Sequence, residues 1–394
     1  MRTLRIACAI GLALVAQACT STEVITANSK PAIQSAAPIP YELLLDVGIL
    51  PLDPNVPEPG EENDKELIVP DVRKAESRYI AYHLKDTMEL TGNWGAVRVL
   101  PEGSEAVDLT VRGSILVSDG EQLKVSVTAV DSAGNLWLEK EYKDTASKYS
   151  YERPKEDPFQ DLYNSIADDL FLVRQKMKDG DVAEIRQITS LRYARDVAPD
   201  AFGNYLEERR GKVAIRQLPA DNDAMVARVA RIKEQEYLFV DTLDDFYNRF
   251  YRDMKASYDE WRFATYEEAV RLRQMQKQAN QRLLGGAAMV AGGLYGASES
   301  GTWAGQAAST GVVVGGIGAI KSGLDRRKQA EIHSESLREL SYSLGAEITP
   351  YVLDIEGKTI ELTGTAQDQY AQWRDILRDI YQEETGLPVS ENEN

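Results

Sequence analysis

Histidine and cysteine are almost missing from this chain, with two of each in 394 residues. Cys8 and Cys19 both fall in the first twenty positions, and His83 and His333 stand far apart with no HExxH around either. A zinc centre needs several such ligands at close spacing, so no metal site and no cofactor is assigned. No GxSxG elbow is present for a nucleophilic serine. The stretch ending Ala319-Ile320-Lys321-Ser322 has Ile320 where a phosphate loop requires glycine, which excludes that motif. Positive charge is scarce as well: 45 Lys and Arg against 63 Asp and Glu give a net charge of −18, which argues against a nucleic-acid partner. The acidic pairs Asp168-Asp169, Asp244-Asp245 and Glu267-Glu268 fall on helical stretches, where neighbours diverge by roughly 100°. They read as solvated faces rather than as acid–base dyads. No catalytic residue is assigned, and the chain reads as a non-enzyme. Long apolar runs are also lacking: residues 6–16 fall well short of the ~20 residues that a membrane helix needs.

What that short run does offer is an export signal. Arg2 and Arg5 precede it, and it closes on Ala16-Gln17-Ala18-Cys19. This ending resembles the lipobox of bacterial lipoproteins, although Leu or Val is usual at the place of Ala16 and a small residue at that of Gln17. The resemblance implies a signal peptide at 1–18, acylation of Cys19, and insertion of the acyl chains (palmitate among them) into a bilayer. Thr20 stands where the family's inner-membrane retention signal has Asp, which implies an outer-membrane lipoprotein with a periplasmic body. The competing reading is an ordinary secretory peptide cut after Ala18. Losing Arg2 and Arg5 takes the net charge from −18 to −20, and no disulfide is then available. Residues 19–40 are small and polar and read as a lipidated, flexible tether.

Residues 41–178 read as an α/β domain. Leu43, Leu45, Val47 and Ile49 alternate in a strand spanning 41–52. Pro70 opens a helix with Val72, Ala75, Tyr79, Tyr82 and Met88 on one face, ending at Gly92. Strands follow at 96–100, 108–118, 123–131 and 135–143, with hairpin turns at Asp119-Gly120 and Ala133-Gly134-Asn135. A helix at 158–177 closes the unit. The order β-α-β-β-β-α resembles the small domain of TolB amino-terminal regions and of the curli-secretion lipoprotein. That resemblance implies a docking module for an unidentified envelope protein, with no chemistry of its own; many unrelated domains share the order.

Residues 179–220 read as a helical connector: two short helices, then one strand or an extended link at 211–218. The longest helical pattern starts at Asp221. Val240, Leu243, Tyr247, Phe250, Met254 and Trp261 follow a heptad seam, thickened by Tyr237, Phe246, Tyr251 and Tyr258, as a helix–helix core would be. It leads into residues 283–320, a Gly- and Ala-rich stretch interrupted only at Ser298-Glu299-Ser300-Gly301. Ala288, Gly292 and Gly296 form one column at helical spacing, and Ala307, Gly311, Gly315, Ala319 and Gly323 another. The pattern predicts a helical hairpin over 221–345 with a glycine-zipper tip, joining copies in a homo-oligomer or contacting lipid. Arg282, Lys321, Arg326, Arg327 and Lys328 flank its base, where acidic headgroups would lie. Insertion of the tip into the outer membrane and packing of a water-soluble hairpin both remain open. A β-hairpin plus helix, within 346–388, closes the chain.

The reading is therefore an α+β protein: a βαβββα domain, a long helical hairpin and a terminal hairpin-plus-helix. Its expected role is a non-enzymatic outer-membrane lipoprotein for envelope structure, assembly or docking. The alternative is an oligomeric secretion or transport component whose zipper hairpins enter the membrane.

Overall fold

A mixed five-stranded sheet, helices stacked on it and one helix of 70 residues make up the protein. The computed structural model describes residues 29–57, 68–101, 107–220, 222–293, 335–336, 338–339, 351–355 and 358–385, with side chains of the long helix described as far as Gln274. Cys19, Gly296, Ala307, Gly311, Gly315, Ala319, Gly323, Lys321, Arg326, Arg327 and Lys328 lie outside the described residues.

The sheet contains β1 (Val47–Ile49), β2 (Val97–Val99), β3 (Leu109–Ser118), β4 (Gln122–Asp131) and β5 (Leu136–Thr145), in the order β2-β1-β3-β4-β5. β1 lies parallel to both β2 and β3, whereas β3, β4 and β5 run antiparallel. All three residues of β1 are buried, as a strand covered on both faces must be. β4 alternates residue by residue between buried and partly exposed positions, leaving Leu123, Val125, Val127 and Ala129 on the core side.

Helix α1 (Pro70–Thr91) starts with proline at its first turn and stops at Gly92, whose φ of 66° is the left-handed conformation that ends helices. After β5 come the short α2 (Lys148–Glu152), α3 (Gln160–Gln175), α4 (Asp179–Val197) and α5 (Pro199–Phe202). A small hairpin, β6 (Leu206–Arg209) and β7 (Lys212–Ile215), precedes α6 (Ala224–Gly293). The chain closes with β8 (Tyr351–Ile355), antiparallel β9 (Lys358–Leu362) and α7 (Ala366–Thr385). One hydrophobic core runs from the sheet through α1, α3 and α4 into α6 and α7.

The α+β class is present, but four strands, β2 to β5, follow α1, so the order is β-α-β-β-β-β-α instead of the expected βαβββα. Three local expectations are corrected. Residues 41–52 are not one strand: a 3-10 turn occupies Tyr41–Leu43 and β1 holds only three residues. Pro51 and Pro54 have no N–H to give the ladder, which resumes only at the bridge from Asp53 to Ser114. The connector is one helix of 19 residues, a single turn after Pro199, and a true hairpin. The turn of that hairpin takes positive φ at both Arg210 and Gly211, the geometry of a two-residue type I′ turn. Arginine seldom marks such a turn, so the strand before it goes unread.

The third correction concerns the tether. From Ser29 onward the chain is laid along α1 and α3 instead of hanging free. Ser29 N–H and Oγ both donate to Glu156, Lys30 N–H to Asp161 at 2.9 Å, and Ile33 N–H to Asp168 at 2.6 Å. Asn164 donates to the Lys30 carbonyl and Asn93 to that of Ile33.

Candidate functional site: the pole shared by the tether and the long helix

Helix α6 spans roughly 105 Å at 1.5 Å per residue. Its aromatic stripe is buried where the heptad spacing puts it, with Val240, Leu243, Tyr247, Phe250, Met254, Tyr258 and Trp261 all in the core. Polar rungs fix the register along the same face. Near its start, Tyr370 of α7 donates to Glu236 at 2.7 Å. Arg98 of β2 pairs with Asp241 at 2.6 Å and lies over the Tyr237 ring. Lys85 of α1 sits 3.1 Å from Asp244 and 3.1 Å from Glu89.

Next comes His83, also on α1. Gln160 gives its amide N–H groups to Thr87 and Asn164, so its carbonyl oxygen faces His83 Nε2 at 2.8 Å. Nε2 must then carry the proton, and Nδ1 accepts from Tyr251 O–H at 2.7 Å. Burial holds the imidazole pKa below its usual value despite the nearby Asp157. The histidine is a half-buried, fully satisfied link between α1, α3 and α6.

One turn further along, the interior holds charge. Glu76 is wholly buried and accepts from Ser118 at 2.6 Å and from Tyr258 at 2.7 Å. Burial pushes its carboxyl up against the pull of Arg73, 3.5 Å away. Arg262 is the most enclosed cation among the described residues, with its side chain 0% exposed. Its two terminal nitrogens reach the two oxygens of Asp157 at 3.2 and 2.9 Å, a paired geometry. A second contact runs to Asp259, and the guanidinium lies 4.3 Å from the Tyr258 ring centre. Burial alone would raise Asp157; Arg262 outweighs it and holds that carboxyl well below the usual range.

Beyond Arg262 the β3–β4 turn presses directly on the helix. A Cβ at Gly120 would come within 2.2 Å of the Arg262 carbonyl oxygen, and Gly120 has a φ of 83°, so glycine is required on two counts. Arg273 then pairs with Asp119 and Glu121 on the same turn. These rungs, from Glu236 to Arg273, cover roughly 55 Å of helix.

The acidic pairs are therefore not merely solvated. Asp168 anchors the incoming chain, Asp169 accepts from Lys140 and Tyr142, and Asp244 faces Lys85. Glu267 lies 3.6 Å from Arg271 and 3.9 Å from Lys148. Arg262 and Glu76 are missed by a reading that looks only for apolar seams. The signal was there: Arg262 falls four residues after Tyr258, on the buried stripe itself.

Two chain segments converge at this end of the body. Ser29 is bonded to Glu156, the neighbour of Asp157, which in turn holds Arg262. The first described residue and the last clamped stretch of α6 thus share a pole. From Arg262 the helix continues without a break to Gly293, taking Arg282, Ala288 and Gly292 with it, and the spacing sets the last two on one face. Among the described residues no helix is long and apolar enough to cross a membrane, and no group of three or more His, Cys, Asp and Glu could hold a metal ion. No family model, no curated protein and no solved structure matches the chain.

Proposed function

We propose that the protein is a non-enzymatic lipoprotein of the bacterial outer membrane, in which the α/β body docks an envelope partner and α6 carries a glycine-zipper hairpin to the bilayer. The observation behind this reading is the shared pole. Ten peptide steps separate Cys19 from Ser29, a reach of at most ~35 Å. Along α6, twenty-one residues separate Arg262 from Leu283, where the Gly- and Ala-rich stretch opens, a rise of ~32 Å. Acyl chains on Cys19 and the base of the zipper then meet one membrane plane without bending the helix. Arg282 comes to the level of acidic headgroups, the level that the expected hairpin assigns to Lys321, Arg326, Arg327 and Lys328 as well. The docking role draws on the resemblance of the α/β body to TolB-type modules, with one strand more after α1 than the expected order has.

The test is metabolic labelling with palmitate in a bacterial host, followed by membrane fractionation. Wild type incorporates label and floats with outer membranes; Cys19→Ser takes up none. An unlabelled wild-type product overturns the anchor. The secretion-component reading draws on Ala288 and Gly292, which share a face of an unbroken helix that could pack against copies of itself. Ring-forming stoichiometry in detergent, with conductance in planar bilayers, would favour it, and a monomer would dispose of it.

A further inference from the structure

A cleft of about 840 Å³ opens between the segment after β1, the first half of α1, the outward face of β3 and β4, and the first turn of α7. Its charge runs opposite to that of the chain. On a protein of net charge −18 the cleft is lined by three cations, Lys74, Arg78 and Arg112, and by one carboxylate, Asp53. That carboxylate is already engaged, accepting from Asn55 N–H at 2.9 Å. Lys74, itself exposed, has only a long contact of 3.8 Å with the half-buried Asp71. Arg78 is bonded to the Tyr247 hydroxyl, and its shielded Nε–H has no partner. Arg112 is exposed, and no described carboxylate stands within ion-pair distance of it.

Beside these cations lies a row of hydroxyls. In the antiparallel register Arg112 is opposite Thr128 and Ser114 opposite Ser126, so all four share the outward face of the sheet. None of the three hydroxyls has a hydrogen-bond partner among the described residues. One strand further, Glu141 is paired with Lys124 at 2.6 Å and bounds the patch. The 20-residue helix α7 starts at the rim, where Asp368 of its first turn already caps the N-terminus through Thr365. A bare phosphate would fill a small part of this volume, which falls in the range of ordinary organic ligand sites, ~300–1,000 Å³.

We propose that the cleft binds a polyhydroxylated anion of the sugar-phosphate class, with the phosphate held by Arg112, Lys74 and Arg78 and the sugar hydroxyls by Ser114, Ser126 and Thr128. This site does not depend on the membrane reading. Charge-assisted contacts from arginine dominate such binding, so Arg112 sets the affinity.

Calorimetric titration of the full-length protein in detergent with glucose 1-phosphate at low salt tests the site. Saturable binding is expected for glucose 1-phosphate, weaker binding for inorganic phosphate, and none for glucose. Arg112→Gln, an exposed position, should keep the wild-type melting temperature while weakening binding about tenfold. Lys74→Gln should weaken it about threefold. No saturable heat overturns the proposal. So does undiminished affinity in both variants, or inorganic phosphate binding as tightly as the sugar phosphate. Displacement of glucose 1-phosphate by phosphatidylcholine vesicles carrying lipid A, but not by phosphatidylcholine alone, would assign the sugar phosphate to a lipid headgroup. Failure of both to displace it would assign a soluble one.

Discussion

At the scale of single residues, His83 is where pH should reach the fold. It donates from Nε2 to Gln160 and accepts at Nδ1 from Tyr251, so protonation would turn an acceptor into a donor facing a hydroxyl. Its pKa is lowered by burial from the usual 6.5. The unfolded chain therefore binds the proton more readily, and stability that is full above 6.5 is lost as the pH falls through that value toward the folded pKa. Asp86 and Asp144 oppose this trend. Burial raises both to about 6, so each favours the folded state more as the pH falls from about 6. Comparing variants cancels their contribution. Urea unfolding at pH 7.5 and pH 5.5 should show a smaller loss on acidification for His83→Gln than for wild type. An unchanged loss would mean that the imidazole is not the titrating group. Little of this was legible in the sequence, where a histidine four residues after Tyr79 says nothing of the tyrosine 168 positions later that meets it.

Among the elements, α6 was the most legible and its fastening the least. Heptad spacing reads Val240 through Trp261 correctly because an apolar stripe is a local signal. The strands β3 and β4 are legible for the same reason: Leu123, Val125, Val127 and Ala129 alternate with polar residues. Hairpin β6–β7 is not, because the exposed Glu207, Glu208 and Arg209 look like a solvated helix, and the hairpin is held by Leu206 and Val213 packed on Ile188 and Leu191, contacts made far away in sequence. Partners separated by 105 positions, as in Arg262 and Asp157, leave no trace in a single sequence. The pair also decides what loosens the helix. Arg262→Met strands a buried carboxylate and should cost about 3–5 kcal/mol, the usual penalty for one lost partner of a buried ion pair. Arg262→Met with Asp157→Leu removes both charges and should recover part of that loss, because desolvation weighed on each of them. Urea denaturation of the two variants gives the comparison, and hydrogen exchange across residues 255–270 locates it. A double variant no more stable than Arg262→Met alone would place the stabilisation in packing around the guanidinium stem.

For the whole molecule, the decisive feature is polarity along α6. Seven rungs between Glu236 and Arg273 tie the helix to the body over roughly 55 Å, and twenty residues continue past them. Such a helix transmits position, since a register clamped at several points leaves it no freedom to slide. The tether acts at the same end: with Ser29 held by Glu156 just before α3 and Ile33 by Asp168 on it, the anchor point lies at the pole where the helix leaves. If Cys19 is acylated, this pole must face the bilayer, and the start of α6, ~57 Å back along the helix from Arg262, must point away from it. Energy transfer tests that orientation directly. A donor dye at Phe263→Cys, a 41% exposed position by the pole, should transfer strongly to acceptor-labelled lipid when the acylated protein is reconstituted in vesicles. The same dye at Leu218→Cys, 58% exposed and six residues before α6 begins, should transfer weakly. Equal transfer from both sites would lay the helix flat on the membrane, and stronger transfer from Leu218→Cys would invert the molecule. The inverted result separates the glycine-rich stretch from the bilayer and leaves its small-residue face to bind protein instead.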